Sequence, residues 1–215
     1  MRKLVVGTFL TLDGVMQAPG GVDEDKSGGF EYGGWMVPFF DDTGGRIMVE
    51  WIQRAGAFLL GRGTYEIFAA YWPQAPAHDP IAKMLNNSPK YVASRTLKQL
   101  EWKHSKLIEG DVAGAVKKLK AEAGGELQVH GSPGLIQTLL RNNLIDEFRI
   151  WSFPVVLGKG KRLFADGTIP AAFKLAETQT STTGAVLHVY QTAGKPEFAT
   201  FSIEERQGEY GQSRG

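Results

Sequence analysis

The hydrophobic pattern of this chain alternates between short apolar runs and segments with helical spacing. Residues 3–11 form the first apolar run, and residues 57–60 form a second one that leads into a glycine. Short runs rich in aliphatic residues are typical of buried strands. The other segments predicted as strands in the first part of the pattern are 90–94, 105–109, 126–130 and about 146–157.

Apolar residues recur with helical spacing between these runs. The first helical segment follows residues 41–43, which offer three N-cap side chains, and we expect it to end at Gly56. Thr64 is expected to cap a short second helix, with Glu66 in the first turn, where an acidic side chain suits the helix dipole. Three more predicted helices begin after Asp79, after Asp111 and at Pro133, the last covering 133–142.

The last part of the chain carries strand patterns without helices between them. Two alternating runs, at about 173–181 and 184–192, predict an antiparallel hairpin. Pro154, inside the preceding run, predicts a bulge or an edge position, because proline donates no N–H to a sheet. The whole pattern predicts an α/β fold, with a central, mostly parallel mixed sheet flanked by helices on both faces and a C-terminal antiparallel hairpin. We expect one domain over 1–193 and a tail, extended or partly disordered, over 194–215.

Composition narrows the class of partner. The 215 residues are 42% hydrophobic, and 24 basic against 23 acidic side chains give a net charge of +1. This balance favours neither a nucleic acid nor a membrane as partner. The chain has no cysteine, which excludes disulfides and suits a reducing compartment. No apolar run approaches the roughly 18 residues of a membrane span, and the N-terminal run ends at Asp13 unlike a signal peptide, so we expect a cytoplasmic protein.

The most informative motif is a strand-to-helix junction at residues 127–136. An apolar run ends near Gly131, Ser132 stands at the expected N-cap, and Pro133 takes the first helical position, where its missing N–H costs nothing. Unpaired N–H groups and the positive end of the helix dipole favour an anion there, and glycine permits close approach. The junction has the chemistry of a phosphate site, although helix capping alone would explain the same residues.

Two further strand ends carry residues that suit phosphate. The segment 61–64, Gly-Arg-Gly-Thr, follows the second strand and offers helix-start N–H groups, a hydroxyl and a guanidinium. The segment 94–96, Ser-Arg-Thr, follows the third strand, and its two hydroxyls and arginine suit a phosphate monoester such as the 2′-phosphate of NADPH. The alternatives are a plain N-cap at Thr64 with Arg62 in solvent, and an ordinary polar turn at 94–96.

In their order along the chain, these motifs resemble the dihydrofolate reductase-like superfamily. The resemblance rests on Leu-Asp-Gly at 12–14, Gly-Arg-Gly-Thr-Tyr-Glu at 61–66, Ser-Arg-Thr at 94–96, Gly-Ser-Pro-Gly at 131–134, and Pro-Val-Val-Leu-Gly-Lys-Gly-Lys-Arg-Leu-Phe at 154–164. Within the superfamily, the chain is most similar to the C-terminal reductase domain of the bifunctional riboflavin-biosynthesis deaminase-reductase and to its stand-alone relatives. The resemblance covers about residues 2–192.

The resemblance implies that NADPH binds across the strand ends. Its phosphates would meet the three motifs described above, and its nicotinamide would lie near the end of the first strand. The residues that the resemblance implies for the cofactor are Thr8, Phe9, Met16, Gly61, Arg62, Gly63, Thr64, Ser94, Arg95, Thr96, Gly131, Ser132, Pro133, Gly134, Leu135, Leu157 and Gly158.

A long loop at residues 13–38 is the predicted lid of this site. Loops of this length inside a compact domain are usually functional or mobile. Hydride transfer needs water to be excluded, and Trp35, Met36 and Phe39 could supply a dry surface against the substrate.

Three carboxylates are candidates for the catalytic acid: Asp42, Asp41 and Asp13. Dihydrofolate reductases carry a carboxylate on the first helix, and Asp41 and Asp42 fall near that place. Burial there would raise the pKa of a carboxyl toward neutrality, so that it could supply a proton. An N-cap at position 41 or 42, and a turn aspartate at Asp13, are the alternatives that the sequence leaves open.

Two observations limit the function further. Ser132 and Pro133 stand where dihydrofolate reductases have a second glycine, which bears on how closely a ligand approaches. The four histidines show no metal-ligand spacing, so we expect no metal; His130 stands out because it lies beside the predicted pyrophosphate site.

The sequence therefore predicts an NADPH-dependent reductase of a small heterocyclic substrate. The resemblance implies an activity like that of 5-amino-6-(5-phosphoribosylamino)uracil reductase in riboflavin biosynthesis. The alternatives are a dihydrofolate or other pteridine reductase and, from a different class, a non-catalytic dinucleotide-binding module. Relatives of this size often form dimers, so a homodimer is a further expectation.

Overall fold

The computed structural model describes residues 1–201, and these form one eight-stranded sheet with helices on both faces. The spatial order of the strands is β4-β3-β2-β5-β1-β6-β8-β7. The strands are β1 (Leu4–Thr11), β2 (Ala55–Gly61), β3 (Lys90–Ala93), β4 (Ser105–Ile108), β5 (Glu126–Val129), β6 (Glu147–Phe153), β7 (Phe173–Thr180) and β8 (Val186–Thr192).

Five α-helices cover the sheet. Apolar residues of α4 and α5 pack on one face, against side chains such as Val6 and Leu127. Apolar residues of α1, α2 and α3 pack on the other face, against Phe58, Leu60 and Trp151. The predicted α/β fold with two covered faces is confirmed. The helices are α1 (Asp42–Ile52), α2 (Arg62–Tyr71), α3 (Pro80–Asn87), α4 (Val112–Ala121) and α5 (Pro133–Arg141).

The six strands from β4 to β6 run parallel, and only the C-terminal hairpin introduces antiparallel pairs. Strand β1 lies between β5 and β6, with Val6 opposite Val129 on one side and Phe148 on the other. Because parallel strands end at the same edge of a sheet, the loops after β1, β2, β3, β5 and β6 share one edge. The fold thus brings the three predicted phosphate-binding motifs to the same edge of the sheet.

Four predicted boundaries were wrong. Helix α1 ends at Ile52, and Gly56 lies inside β2, where a Cβ would come within 2.7 Å of the Gly125 backbone. Strand β6 ends at Phe153, immediately before Pro154, so the proline terminates the strand rather than forming a bulge or an edge. Helix α2 begins at Arg62 with Gly61 as N-cap, which places Thr64 within the first turn instead of at the cap.

The predicted tail begins at Gly194, whose carbonyl accepts a hydrogen bond from the Ala172 N–H at 2.9 Å. Residues 195–201 belong to no helix or strand. Residues 202–215 lie outside the described residues, so the domain boundary and the state of the tail stay predictions.

A buried ion network crosses the central strand. Arg149 on β6 donates from Nη1 and Nη2 to the two Glu126 oxygens on β5, at 2.9 and 2.7 Å, and from Nε to Glu147 at 2.8 Å. Gln128 donates to Glu126 at 2.8 Å and to the Trp51 carbonyl at 2.7 Å, which ties the network to α1. The Arg149 side chain is only 4% exposed, so the ion pairs with both carboxylates are needed to offset the cost of burying its positive charge.

Replacing Arg149 with methionine should leave two carboxylates in a low-dielectric layer without their cation. We expect the free energy of unfolding, measured by urea denaturation, to fall by about 3–5 kcal/mol. The matched control is Arg46→Met, which breaks the exposed Arg46–Glu50 pair on α1 and should cost about 0.5 kcal/mol or less. Equal losses in the two variants would contradict a structural role for the network.

Candidate functional site

The loops after β2 and β5 are in direct contact. The Gly61 N–H donates to the Gly131 carbonyl at 3.2 Å. The Thr64 N–H donates to the Ser132 Oγ at 3.3 Å, and the two hydroxyl oxygens lie 3.2 Å apart. Two motifs separated by about seventy residues in sequence therefore form one surface at the edge of the sheet.

Glycine is required at two positions for this contact. A Cβ on Gly61 would lie 2.6 Å from the Ser132 Oγ, and a Cβ on Gly131 would overlap the Thr64 hydroxyl. Gly131 also has a φ of +145°, which side chains rarely adopt. The two loops are thus packed backbone to side chain, and a larger residue at either glycine would separate them.

The loop after β3 joins the same surface through Arg62. Its Nη1 donates to the Thr96 Oγ1 at 3.2 Å. The Ser94 Oγ accepts from the N–H groups of Thr96 and Leu97 at 3.2 and 3.0 Å and lies 3.5 Å from the Thr96 Oγ1, so the two hydroxyls and the Arg62 guanidinium form one polar group. Arg95 is exposed beside it. The structure therefore places the turns at Arg62, Ser94 and Ser132 in one continuous region.

The helices that begin at this surface have no side-chain cap from their own N-cap residues. Gly61, at the start of α2, has no side chain that could cap the helix. Ser132, at the start of α5, does not cap its own helix, because its hydroxyl is directed to Thr64. In contrast, Asp41 caps α1 and Asp79 caps α3. In the first turn of α2 the Thr64 N–H is taken by the Ser132 Oγ, and the other N–H groups of the first turns of α2 and α5 are available to an anion, so both helices suit phosphate oxygens.

The residues predicted near the nicotinamide lie on both sides of β1. Thr8 is 6% exposed, and Phe9, next to it on the strand, points to the opposite face. Met16 packs with Leu135 in the core under α5, on the other side of the sheet from Phe9. Thr8 and Met16 therefore lie on one face of the sheet and Phe9 on the other, and a single ligand could contact all three only by passing around the end of β1.

The predicted lid residues pack over the sheet beside β6. Trp35 is buried, donates its indole N–H to the Gln17 carbonyl at 2.8 Å, and places its ring 5.7 Å from that of Phe153. Met36 and Phe39 are half-buried against the same cluster. The loop also contains two short 3-10 turns, Ser27–Gly29 and Val37–Phe39, so it is more ordered than the sequence suggests.

Asp13 holds the loop after β6 against the end of β1. Its carboxylate accepts from the Leu157 and Gly158 N–H groups at 3.2 and 2.9 Å, from the Thr11 hydroxyl at 2.6 Å, and from Arg162 at 3.2 Å. The Thr11 hydrogen bond contributes most to lowering the pKa of Asp13 to about 2. The carboxyl is therefore ionised at neutral pH and positions Leu157 and Gly158.

Asp41 acts as the N-cap of α1, which is the alternative that the sequence left open. Its carboxylate accepts from the Gly44 N–H at 2.9 Å and from the N–H and hydroxyl of Thr182, in the hairpin turn, at 3.0 and 2.7 Å. The Gly44 bond, followed by the Thr182 bonds, lowers the pKa of Asp41. The expected upward shift is wrong here, because these donors stabilise the charge. Asp42 is exposed in the first turn of α1.

Three buried polar atoms beside β1 have no partner among the described residues: Gln128 Oε1, His130 Nε2 and Trp151 Nε1. The His130 ring lies over Gly7, where a Cβ would be 3.5 Å from Cε1, and Trp151 pairs with Phe9 in register. The sequence drew attention to His130 only through its neighbouring motif. Nothing in it singled out Trp151, since an aromatic residue in a buried strand is ordinary.

Among residues 1–201, no group of three or more acidic or histidine side chains is arranged to hold a metal ion. Within the same residues, every helix is too short or too polar to span a bilayer.

Comparison with known proteins identifies the family. The model of the RibD C-terminal domain matches residues 2–187, so the chain belongs to that family. The uncharacterized protein YyaP of Bacillus subtilis is 29% identical over 196 residues, which cover 90% of this chain and 96% of YyaP. The uncharacterized protein YwjB of the same organism is 26% identical over 179 residues, covering 83% of this chain and 91% of YwjB.

Solved structures confirm the fold. A pyrimidine reductase-like protein from Corynebacterium diphtheriae superposes with a TM-score of 0.61 at 12% identity, covering 89% of this chain and 92% of that one. The diaminohydroxyphosphoribosylaminopyrimidine deaminase/5-amino-6-(5-phosphoribosylamino)uracil reductase of Thermotoga maritima gives 0.60 at 16% identity, covering 89% of this chain and 57% of that longer chain. These superpositions confirm the predicted fold, and the match to the RibD C-terminal domain confirms the resemblance to the riboflavin-pathway branch.

His130 should make the stability of the fold depend on pH. Burial, with a smaller contribution from the Arg149 charge, lowers the pKa of His130 to about 4, against about 6.5 in the unfolded chain. The unfolded chain therefore takes up the proton first as pH falls, and stability is lost between pH 6.5 and 4. We expect the free energy of unfolding to drop by about 2 kcal/mol between pH 7 and pH 5 through this group.

The measurement is urea denaturation at both pH values. His130→Phe, which fits between the Phe58 and Phe68 rings, should lose this part of the pH dependence. His78→Gln alters an exposed histidine and should keep it. The same pH dependence in His130→Phe as in the unaltered protein would contradict the assignment.

Proposed function

We propose that this protein is an NADPH-dependent reductase of the RibD type, which transfers hydride to a small heterocyclic acceptor. The observation that carries the proposal is the contact among the three strand-end loops, at Gly61–Thr64, Ser94–Thr96 and Gly131–Leu135. The family implies a nicotinamide cofactor in general, and the phosphorylated form is our inference from the residues of these loops.

The charges in these loops support a phosphorylated dinucleotide. Arg62 and Arg95 form no ion pair with any carboxylate of the described residues, so both guanidinium groups are available to an anion. Ser94 and Thr96 supply hydroxyls beside them, as recognition of a 2′-phosphate requires. The first turns of α2 and α5 supply N–H groups for the pyrophosphate.

The chain's own part in the reaction is positioning and the exclusion of water. A bound NADPH would supply a hydride from its nicotinamide ring. Phe9 and Trp35 belong to the apolar cluster near the end of β1, and Asp13 fixes the backbone of Leu157, which packs against the same cluster. Hydride transfer requires the protein to hold the nicotinamide ring and the acceptor ring in contact. Asp13 and Asp41 are ionised at neutral pH and contribute as positioning groups.

The named activity closest to this proposal is the reduction carried out by the Thermotoga relative's reductase domain. A pteridine acceptor is the second candidate that the fold family allows. A homodimer stays a prediction, as does a cytoplasmic location.

Arg95→Ala tests the cofactor assignment. The variant should weaken NADPH binding by roughly 10–100-fold and leave NADH binding within about threefold, because only NADPH carries the 2′-phosphate. Binding is measured by quenching of tryptophan fluorescence. Lys98→Ala, three residues along the same exposed segment, is the control and should change neither affinity. An equal effect of Arg95→Ala on both nucleotides would contradict the assignment, and NADPH binding without oxidation by any acceptor would favour a non-catalytic module.

A further inference from the structure

The connection between β3 and β4 contains no helix. We use the name crossing segment for residues 94–104, which leave the end of β3 and return to the start of β4. Because β3 and β4 are parallel neighbours, the chain must travel back from one edge of the sheet to the other. The crossing segment forms neither a helix nor a strand on the way, so it has no regular backbone hydrogen bonding of its own. Its position therefore depends on contacts with neighbouring elements.

Helix α2 contacts the crossing segment near both of its ends. Near the beginning, the Arg62 Nη1 donates to the Thr96 Oγ1 at 3.2 Å. Near the end, the Trp102 backbone N–H donates to the Tyr65 hydroxyl oxygen at 3.2 Å, and the centroids of these two rings lie 6.3 Å apart. Arg62 and Tyr65 are three residues apart on α2, so their side chains leave the same face of the helix. One turn of α2 thus holds the crossing segment at two points.

The contact at Tyr65 is the buried one of the two. Tyr65 and Trp102 are each only 5% exposed, and Leu97 and Leu100 pack against the same apolar cluster. The Trp102 indole N–H donates to the Asn86 Oδ1 at 2.8 Å, which joins the crossing segment to α3 as well. At the other point both side chains are exposed, so water competes for that hydrogen bond. The buried contact is therefore the stronger anchor.

A buried ammonium group lies against the ring of Trp102. The Lys90 side chain belongs to a residue that is 0% exposed, and its Nζ lies 4.3 Å from the centroid of the Trp102 ring. The same Nζ donates to the carbonyls of Leu85, Asn86 and Ser88 at 2.7, 3.4 and 2.9 Å, where α3 ends. No carboxylate of residues 1–201 forms an ion pair with this group, so carbonyl dipoles and the indole face take the place of an anion.

This ammonium group is charged under neutral conditions. Burial lowers the pKa of Lys90 to about 8, which leaves the group mainly protonated at pH 7. The cation then attracts the face of the Trp102 ring and holds it at the end of α3.

Packed side chains connect this anchor to the beginning of the crossing segment. A displacement of Trp102 would pull Leu100 and Leu97 out of the apolar cluster. The Leu97 N–H donates to the Ser94 Oγ at 3.0 Å, so the turn that presents Ser94 and Arg95 would move with it. The placement of the residues proposed for the adenosine 2′-phosphate therefore depends on an anchor several residues away.

Resting on the proposed function, we propose that Tyr65 and Lys90 are positioning residues that set the preference of this site for NADPH over NADH. Through Trp102, they hold the crossing segment so that Arg95 and its neighbouring hydroxyls meet the 2′-phosphate. NADH has no 2′-phosphate and gains nothing from the crossing segment, whereas both nucleotides gain from the first turns of α2 and α5. Loss of either anchor therefore weakens the binding of NADPH and leaves that of NADH.

Tyr65→Phe tests the proposal, because it removes the acceptor of the Trp102 N–H and keeps the ring. We expect the dissociation constant of NADPH, measured by calorimetry at pH 7, to rise roughly tenfold, since a buried N–H loses its partner. The dissociation constant of NADH should stay within about twofold, because its phosphates meet only the helix starts. Tyr71→Phe, which removes the hydroxyl of an exposed tyrosine on the same helix, is the matched control and should change neither constant. Equal weakening of both nucleotides in Tyr65→Phe, as a purely structural role would give, or no change in either, would overturn the proposal.

Hydrogen exchange followed by mass spectrometry gives a second readout that needs no nucleotide. The amides of residues 94–102 should exchange about tenfold faster in Tyr65→Phe than in the unaltered protein, while those of β5 should not change. Unchanged exchange over 94–102 would overturn the proposal.

Lys90→Met keeps the length of the side chain without its charge, and it should give the same local acceleration of exchange and the same loss of NADPH preference. Lys106→Met, at an exposed position on the neighbouring strand β4, is its control and should give neither effect. A folded Lys90→Met variant with the preference and the exchange of the unaltered protein would overturn the role of Lys90. If this variant does not fold, the result for Tyr65→Phe decides the proposal.

The proposed function and the positioning inference fail in different ways. Absence of nucleotide binding in the unaltered protein would overturn the proposed function, and with it the claim about nucleotide preference. Normal binding of NADPH to the unaltered protein, with the same preference over NADH in Tyr65→Phe, would overturn the positioning inference alone.

Discussion

The parallel alignment of six neighbouring strands is the constraint on which the rest of this structure depends. It directs the loops after β1, β2, β3, β5 and β6 to a single edge. It also brings the N-termini of α2 and α5 together, because each helix starts where its strand ends. Gly61 and Gly131 then permit a contact between the two junctions that any side chain would prevent. A surface with several backbone donors follows from the order of the strands and from two glycines.

Charge divides this edge into two parts with different chemistry. Around α2 and the loop after β3, Arg62 and Arg95 have no carboxylate partner among residues 1–201. Around the long loop and the segment after β6, each cation is neutralised by a nearby aspartate or glutamate. Aromatic side chains occupy the second part and hold the loop against β6. A site of this kind can bind one strongly anionic ligand next to one apolar ligand, as a reductase with a phosphorylated dinucleotide requires.

The sequence was sufficient for the elements and for the meeting of the motifs. The alternation of strand and helix periods predicted the parallel sheet. The glycine junctions at 61 and 131 were placed correctly at strand ends, because the conformation of a turn depends mainly on adjacent residues. Individual side-chain hydrogen bonds between distant segments could not be predicted from the sequence. Ser132 has the residue type and position of a helix cap, yet its hydroxyl bonds Thr64 on another helix. Asp41 has the place of a catalytic acid, yet the Gly44 N–H of its own helix and Thr182, in a hairpin turn about 140 residues later, donate to it and lower its pKa. The Arg149 network, formed across β1, leaves no pattern in the order of residues.

The central claim is that these loops together bind a phosphorylated nicotinamide nucleotide, and a crystal structure of the protein with NADP⁺ tests it most directly. We expect electron density for the pyrophosphate at the first turns of α2 and α5, with the adenosine 2′-phosphate between Ser94 and Arg95. Density for the nucleotide at another part of the surface, or none at this edge when the nucleotide is saturating, would contradict it.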